Sequence, residues 1–294
     1  MRKVNLQSPL WATRWLKIIN FSSDPNILKF KKNLKLPDYY LGFSFETNNL
    51  GLVQIGNQSS EGVILGTSFA CGVGVDVGDR WFDNIPALSN HFNASFPSSL
   101  SQLNNLLSEN YKGPGKELIL IYHPNFWSFQ KGFNTAIKKN IKVRDLYKWR
   151  TGFLDMIKIY FKNLLRLPLY FFSGRIFYDS SRRLDNNYCV VDIDNDMHKS
   201  MEEIMKTIVK KFSVVKVYIV PVREQLSNKI SESSKDKLKK QSSIFIDICN
   251  SLQCHEVIDF SDNFNLKDYH LNDNHWNIEG NITFSNLINS LERK

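Results

Sequence analysis

The sequence predicts an α/β protein built as a three-layer sandwich, with a mostly parallel sheet between two layers of helices. Short apolar runs, such as residues 62–66 and 117–122, have the length and composition of buried strands. Longer segments with apolar residues at helical spacing separate these runs. Strands that alternate with helices typically form a parallel sheet that helices cover on both faces.

The elements follow one another from residue 62 onward. Residues 76–92 are predicted to be helical because Trp81, Ile85 and Leu88 recur at helical spacing. Ser98 or Ser99 is expected to cap the next helix. The predicted strands are GVILG (62–66), ELILIY (117–122), SVVKVYIVPV (213–222) and HEVIDF (255–260). The predicted helices are DVGDRWFDNIPALSNHF (76–92), SSLSQLNNLLSENY (98–111), SSKDKLKKQSSIFIDICNSL (233–252) and NIEGNITFSNLINSLE (277–292).

The 294 residues are expected to form a single domain. Its core is predicted at about residues 60–128 and 188–294, after an N-terminal extension of residues 1–59. A helical insertion at about residues 129–187 interrupts the core and carries the positive charge. Between residues 129 and 183 there are 13 basic and three acidic side chains, whereas the rest of the chain has a net charge of −1.

The insertion is predicted to contain an amphipathic helix with a basic row formed by Lys158, Lys162 and Arg166. Two interpretations of this row stay open. It is the solvated rim of a lid, or it contacts an anionic surface such as a membrane or an acidic glycan. Nucleic acid is not expected as a partner, because no nucleic-acid-binding motif accompanies the charge.

Composition limits the class of protein further. The 21 Phe, 11 Tyr and 6 Trp exclude wholesale disorder. Arg14 and Lys17 interrupt the N-terminal apolar stretch before a secretory signal develops, and no apolar run of about 18 residues occurs. The four cysteines form no CxxC pair. We therefore expect a reduced, cytoplasmic protein, with peripheral contact at a membrane surface as an open alternative.

Polar residues that could perform ester chemistry follow the predicted strands. Ser68 follows the first strand, Asn125 follows ELILIY, and His275 precedes the last helix. Ligands of such sheets bind at the carboxyl ends of the strands. A serine nucleophile needs a base, which His275 can be, and the base needs an orienting partner, for which Asp273 is close in sequence.

The stretch GTSFACGVGV (66–75) resembles the first block of the SGNH (GDSL-type) hydrolases, and DNHWNIEG (273–280) is similar to the closing block of one bacterial branch. TNNLGL (47–52), FNASFPSS (92–99) and VYIVPVREQ (217–225) also resemble stretches of that branch. The resemblance implies a five-stranded, flavodoxin-like sheet and a serine esterase or O-acyltransferase that acts on an acylated small molecule or glycan. Its implied catalytic residues are Ser68, His275 and Asp273, and its implied oxyanion donors are Ser68, Ser98 and Asn125. No cofactor or metal is expected.

Three positions depart from the family pattern. Thr67 stands where an Asp is usual, and Ser98 (or Ser95 in a shifted alignment) stands where a Gly is usual. Asn272 occupies the position of the usual acid, so Asp273 must serve. Polysaccharide O-acetylation enzymes of the superfamily can use this shorter spacing, which favours glycan esters.

A second function class stays open beside the enzyme. Thr67 and the missing glycine also fit a catalytically silent module that binds a glycan or an anionic surface through the basic insertion. In that case Ser68 is a turn serine that caps a following helix, and His275 is a surface histidine.

Overall fold

The computed structural model describes residues 18–21, 27–38, 43–53, 60–140, 190–228, 230–270 and 274–293. We number the elements of these residues in chain order. The strands are β1 (Ile19–Phe21), β2 (Leu28–Phe30), β3 (Lys35–Leu36), β4 (Phe45–Glu46), β5 (Gly62–Gly66), β6 (Phe92–Asn93), β7 (Glu117–Tyr122), β8 (Val214–Ile219) and β9 (Glu256–Asp259). The α-helices are α1 (Leu100–Asn110), α2 (Asn125–Lys138), α3 (Asn195–Val209), α4 (Arg223–Leu226), α5 (Glu232–Ser251) and α6 (Ile278–Leu291).

Five strands form one parallel sheet in the order β6-β5-β7-β8-β9. This arrangement confirms the predicted α/β class and the five-stranded parallel sheet. In the register, Gly66 pairs with Ile121 and Ile121 pairs with Tyr218, so the central strands end at the same level. The loops that follow these strands therefore meet at one edge of the sheet.

The core lies on both faces of this sheet, since alternate side chains of each strand point to opposite sides. Leu118 and Leu120 of β7 belong to one buried cluster, whereas Ile119 and Ile121 belong to the other. Helices α1, α3 and α5 contribute to the first cluster through Leu103, Met201 and Phe245. Helix α6 contributes Phe284 and Ile288 to the second. These two layers around the sheet make the predicted three-layer sandwich.

The helix boundaries agree with the capping residues in most places. Ser99 caps α1 and, with Gln102, forms a capping box, which decides between the two predicted caps.

Residues 76–92, however, do not form the predicted α-helix. They contain two short 3-10 helices, Trp81–Asn84 and Pro86–Leu88. Pro86 lacks an N–H and holds Ile85 in an extended conformation, which ends the helical run.

Two antiparallel strand pairs, β1–β2 and β3–β4, precede β5 and pack on the core. The TNNLGL stretch, after β4, contacts the segment between β2 and β3. The Thr47 hydroxyl donates to the Lys31 carbonyl (2.6 Å), and Gly51 has a positive φ of 81°. A Cβ at Gly51 would lie 2.1 Å from the Phe30 carbonyl oxygen, so only glycine fits there. This motif therefore has a structural role.

Helix α2 continues through the predicted start of the insertion, near residue 129, to Lys138. Lys158, Lys162 and Arg166 lie outside the described residues, and the basic row and the domain boundaries remain predictions. No helix in the described part of the chain is long and apolar enough to cross a membrane.

Candidate active site

Three strand ends bring the sequence-predicted residues to the carboxyl edge of the sheet. Ser68 follows β5, Ser98 follows β6 and Asn125 begins α2 directly after β7. His275 lies in the loop that precedes α6. In open parallel sheets this edge is the usual place of a ligand site.

Ser68 lies in a series of turns, and no helix follows it directly within residues 67–75. The Cys71 N–H donates to the Thr67 carbonyl (3.1 Å), and the Val73 N–H donates to the Ser68 carbonyl (3.1 Å). Ser68 therefore does not cap a helix, contrary to the structural interpretation of this serine. Its side chain is half-buried.

The backbone of His275 is held by contacts with the residues before it. Tyr269 and Trp276 form an isolated antiparallel bridge, and the His270 N–H donates to the His275 carbonyl (3.0 Å). These contacts fix the backbone of His275 and Trp276 against residues 269 and 270.

Two contacts attach this loop to the turn that carries Ser68. The His270 Nε2–H donates to the Gly74 carbonyl (2.8 Å). The ring of Phe69, the residue after Ser68, packs against the His275 ring with a centroid distance of 5.8 Å. Ser68 and His275, the predicted nucleophile and base, thus belong to neighbouring loops that touch, although about 200 residues of chain separate them.

The residues after His275 explain why the closing block has this composition. Trp276 is buried and stacks on Phe264 (centroids 5.1 Å apart). The Asn277 side chain accepts the Gly280 N–H (3.0 Å) and caps α6. At Gly280, a Cβ would lie 2.2 Å from the Asp268 carbonyl oxygen. Each residue holds the start of α6 against the loop that presents His275.

A buried carboxylate holds the same loop from the next strand. Glu224, in α4 after β8, is only 1% exposed, and its Oε1 accepts a hydrogen bond from Asn274 Nδ2 (2.5 Å). The Tyr269 hydroxyl donates to the Pro221 carbonyl (2.6 Å), and burial raises the pKa of this phenol. The segment that follows β8 therefore also holds the His275 loop through Tyr269 and Asn274.

A second histidine, His123, contacts the residue that precedes Ser68. His123 Nε2 and the Thr67 hydroxyl share a hydrogen bond, and both side chains are buried. Burial lowers the pKa of His123 to about 3, with a smaller contribution from repulsion by His275. His123 is therefore neutral, and it forms a neutral buried pair with Thr67.

The two remaining candidates for oxyanion donors are Asn125 and Ser98, and they differ in their surroundings. Asn125 is buried, and its Oδ1 has no hydrogen-bond partner among the described residues. Ser98 directly precedes the cap of α1. The alternative residue, Ser95, already donates its N–H to Asn93 Oδ1 (3.0 Å). Because the Ser95 N–H already has an acceptor, Ser98 is the better candidate for a backbone N–H that donates to an oxyanion.

Asp273 lies outside the described residues, and its role as the orienting acid remains a prediction.

Cys71, near Ser68 in sequence, is buried, and burial raises the pKa of its thiol, in agreement with a core role. Within the described ranges, no group of three or more His, Cys, Asp or Glu side chains is arranged to hold a metal ion.

Sequence reasoning missed three contacts of the site: His123 with Thr67, His270 with Gly74, and Glu224 with Asn274. The partners are separated by 56, 196 and 50 residues. No local pattern marks such pairs, because the fold alone brings them together.

No protein-family model matches the chain, and no curated protein matches it in sequence. Among solved structures it is similar to a member of the lipolytic G-D-S-L family from Veillonella parvula, at 11% identity and a TM-score of 0.43 over 79% of this chain and 98% of the other. An α/β hydrolase enzyme from the metagenome of Lake Arreo has the same identity, TM-score and share of this chain, with 94% of its own length covered. A variant of an acetyl xylan esterase from Geobacillus stearothermophilus is 8% identical, with a TM-score of 0.40 over 79% of this chain and 93% of the other.

Proposed function

We propose that this protein is a serine-dependent O-acyl ester hydrolase or acyltransferase that acts on an acylated carbohydrate. The observation that carries the proposal is the contact between the two loops, in which the Phe69 ring, next to Ser68, packs on the His275 ring. A serine becomes a nucleophile when a base is within reach of its hydroxyl, and this contact brings the two loops together.

In the proposed reaction, Ser68 Oγ attacks the ester carbonyl while His275 takes its proton. The tetrahedral intermediate collapses, the alcohol leaves with the proton from His275, and an acyl-serine remains. His275 then activates water, for hydrolysis, or a sugar hydroxyl, for transfer. Asp273 orients the imidazole in this scheme. Its spacing of two residues from His275, which resembles that of polysaccharide O-acetylation enzymes, supports a glycan ester as substrate.

The oxyanion would be held by the N–H groups of Ser68 and Ser98 and by the side-chain amide of Asn125. Asn125 is buried and is the first residue of α2, so it lies near the strand ends. Preorganised donors of this kind stabilise the charge that develops in the transition state. Replacement of the usual glycine by Ser98 keeps a backbone donor, which supports activity despite the altered motif.

The direct test is hydrolysis of p-nitrophenyl acetate and of an acetylated xylooligosaccharide, together with labelling by a serine-reactive fluorophosphonate. Ser68→Ala is expected to lose turnover by at least about a thousandfold and to lose labelling. Ser89→Ala, at an exposed turn, is the matched control and should behave like the wild type. If the wild-type protein neither hydrolyses these esters nor takes the label, the proposed serine-dependent activity is rejected.

Transfer is separated from hydrolysis with an unacetylated oligosaccharide as acceptor. A transferase would label at Ser68 and pass the acetyl group to the sugar faster than to water. The silent binding module predicts the opposite outcome: no acyl-enzyme with any donor, but retention on an acidic glycan column that depends on the basic insertion.

A further inference from the structure

The end of α5 brings two cysteines together, away from the candidate active site. After the helix, Gln253 adopts a left-handed conformation with φ of 56°. The Cys254 N–H then donates to the Cys249 carbonyl (3.1 Å), and the Gln253 N–H donates to the Asn250 carbonyl (3.0 Å). These two bonds define a Schellman motif, in which the first and last side chains contact each other. Here both of those side chains are cysteines.

The two thiols have different surroundings. Cys249 is fully buried in the core, whereas Cys254 is half-buried and packs against the same cluster from outside. The hydrogen bond between the two thiols lowers the pKa of Cys254, and the same bond, with burial, raises that of Cys249. Cys254 is thus both the more accessible and the more acidic thiol, which are the two properties of an attacking cysteine.

The geometry also suits a covalent bond between them. A disulfide requires two Cα atoms within roughly 7 Å and Cβ atoms that face each other. The backbone hydrogen bond keeps the main chains of the two residues close together, and the hydrogen bond between their thiols shows that the two side chains face each other. We propose that Cys249 and Cys254 form a reversible intrachain disulfide by exchange with a low-molecular-weight disulfide such as oxidised glutathione.

The exchange takes place in two balanced steps. The Cys254 thiolate attacks one sulfur of oxidised glutathione, forms a mixed disulfide and releases one glutathione thiolate. Cys249 then attacks the Cys254 sulfur, its proton passes to the departing glutathione sulfur, and the second glutathione leaves as a thiol. The two protein thiols are oxidised, and one glutathione disulfide is reduced to two thiols.

The test uses the folded full-length protein, oxidised glutathione and alkylation of the remaining thiols before trypsin digestion. Both cysteines lie in one tryptic peptide, residues 241–267, which contains neither Cys71 nor Cys189. We expect the doubly alkylated peptide to be lost and replaced by an unalkylated peptide that is two hydrogen atoms lighter than the dithiol. A peptide that stays doubly alkylated, or that keeps glutathione on Cys254, overturns the proposal.

Two variants resolve the order of the steps. Cys249→Ser should trap glutathione on Cys254, whereas Cys254→Ser should leave Cys249 unmodified because that thiol is buried. Thermal unfolding of each variant checks that it is folded. The peptide-mass test on the wild-type protein does not depend on either variant. Cys254 precedes the amino end of β9, opposite the edge that carries Ser68, so ester hydrolysis should not change on oxidation. The result is therefore independent of the proposed function.

Discussion

Thr67 and His123 are joined by a buried hydrogen bond that links the turn of Ser68 to the start of α2. Thr67 directly precedes Ser68, and His123 lies two residues before Asn125. The bond therefore connects the proposed nucleophile to a proposed oxyanion donor through neighbouring strands. This buried pair is neutral, and it joins the turn after β5 to the turn after β7.

Removal of the Thr67 hydroxyl should destabilise the protein. Thr67→Val leaves the buried His123 ring without this partner, at a cost of about 1–3 kcal/mol in the free energy of unfolding. Thr67→Ser keeps the hydroxyl and is the control for the change of side chain. Urea unfolding measures both variants. Equal midpoints for the Val and Ser variants would show that the bond contributes nothing.

The same pair predicts a sensitivity to acid. His123 has a pKa of about 3 in the folded protein and an ordinary value near 6.5 when unfolded. Between these values the unfolded chain binds one more proton at this residue, so stability falls as the pH falls, by about 1.4 kcal/mol per pH unit. Urea unfolding at pH 7 and pH 5 should show a smaller loss for His123→Gln than for the wild type. An identical loss would assign the acid sensitivity to other groups.

The cap of α6 should affect activity more than an equivalent cap elsewhere. Asn277→Ala and Ser231→Ala each remove an N-cap side chain, at about 1 kcal/mol of stability. Asn277 also donates to the Tyr269 carbonyl (3.1 Å) beside the His275 loop, whereas Ser231 caps α5, which belongs to a different part of the fold. We expect ester turnover to fall for Asn277→Ala and to persist for Ser231→Ala. Equal turnover in both variants would contradict this role of the cap.

Alanine substitutions at two helix glycines should change the stability of the protein in opposite directions. In α6, a Cβ at Gly280 would meet the Asp268 carbonyl, and overpacking of this kind costs about 1–3 kcal/mol. In α2, a Cβ added at Gly132 would meet no atom of the described residues within 4 Å, so Gly132→Ala should stabilise the helix by about 0.5–1 kcal/mol. Thermal unfolding compares them. A Gly280→Ala protein as stable as the wild type would refute the close approach.

Glu224 is expected to position the His275 loop through Asn274. Glu224→Ala removes the acceptor of the Asn274 side chain, so the rate of fluorophosphonate labelling at Ser68 should fall several-fold. Glu224→Gln keeps an acceptor oxygen without the charge and should restore part of that rate. If both variants label at the wild-type rate, the contact does not position the base.

Much of the fold follows from local sequence patterns. The strands at residues 62–66 and 117–122 begin and end as predicted, because continuous apolar runs mark buried parallel strands. The prediction of an α-helix at residues 76–92 was wrong, since the apolar spacing survives as buried contacts while Pro86 breaks the helix. The two-residue strand β6 was not predicted, because so short an element has no detectable period.

Local patterns were sufficient for the α/β class and for the sheet edge that carries Ser68 and Asn125, whereas the chemistry assigned to these side chains remains a prediction. They were silent on the groups that hold those residues: Phe69 against His275, His270 on Gly74, Thr67 with His123 and Glu224 with Asn274. Secondary structure depends on neighbours a few residues apart and can therefore be read from short windows of sequence. These four contacts join distant segments, and they exist because the packing of strands and loops brings those segments together.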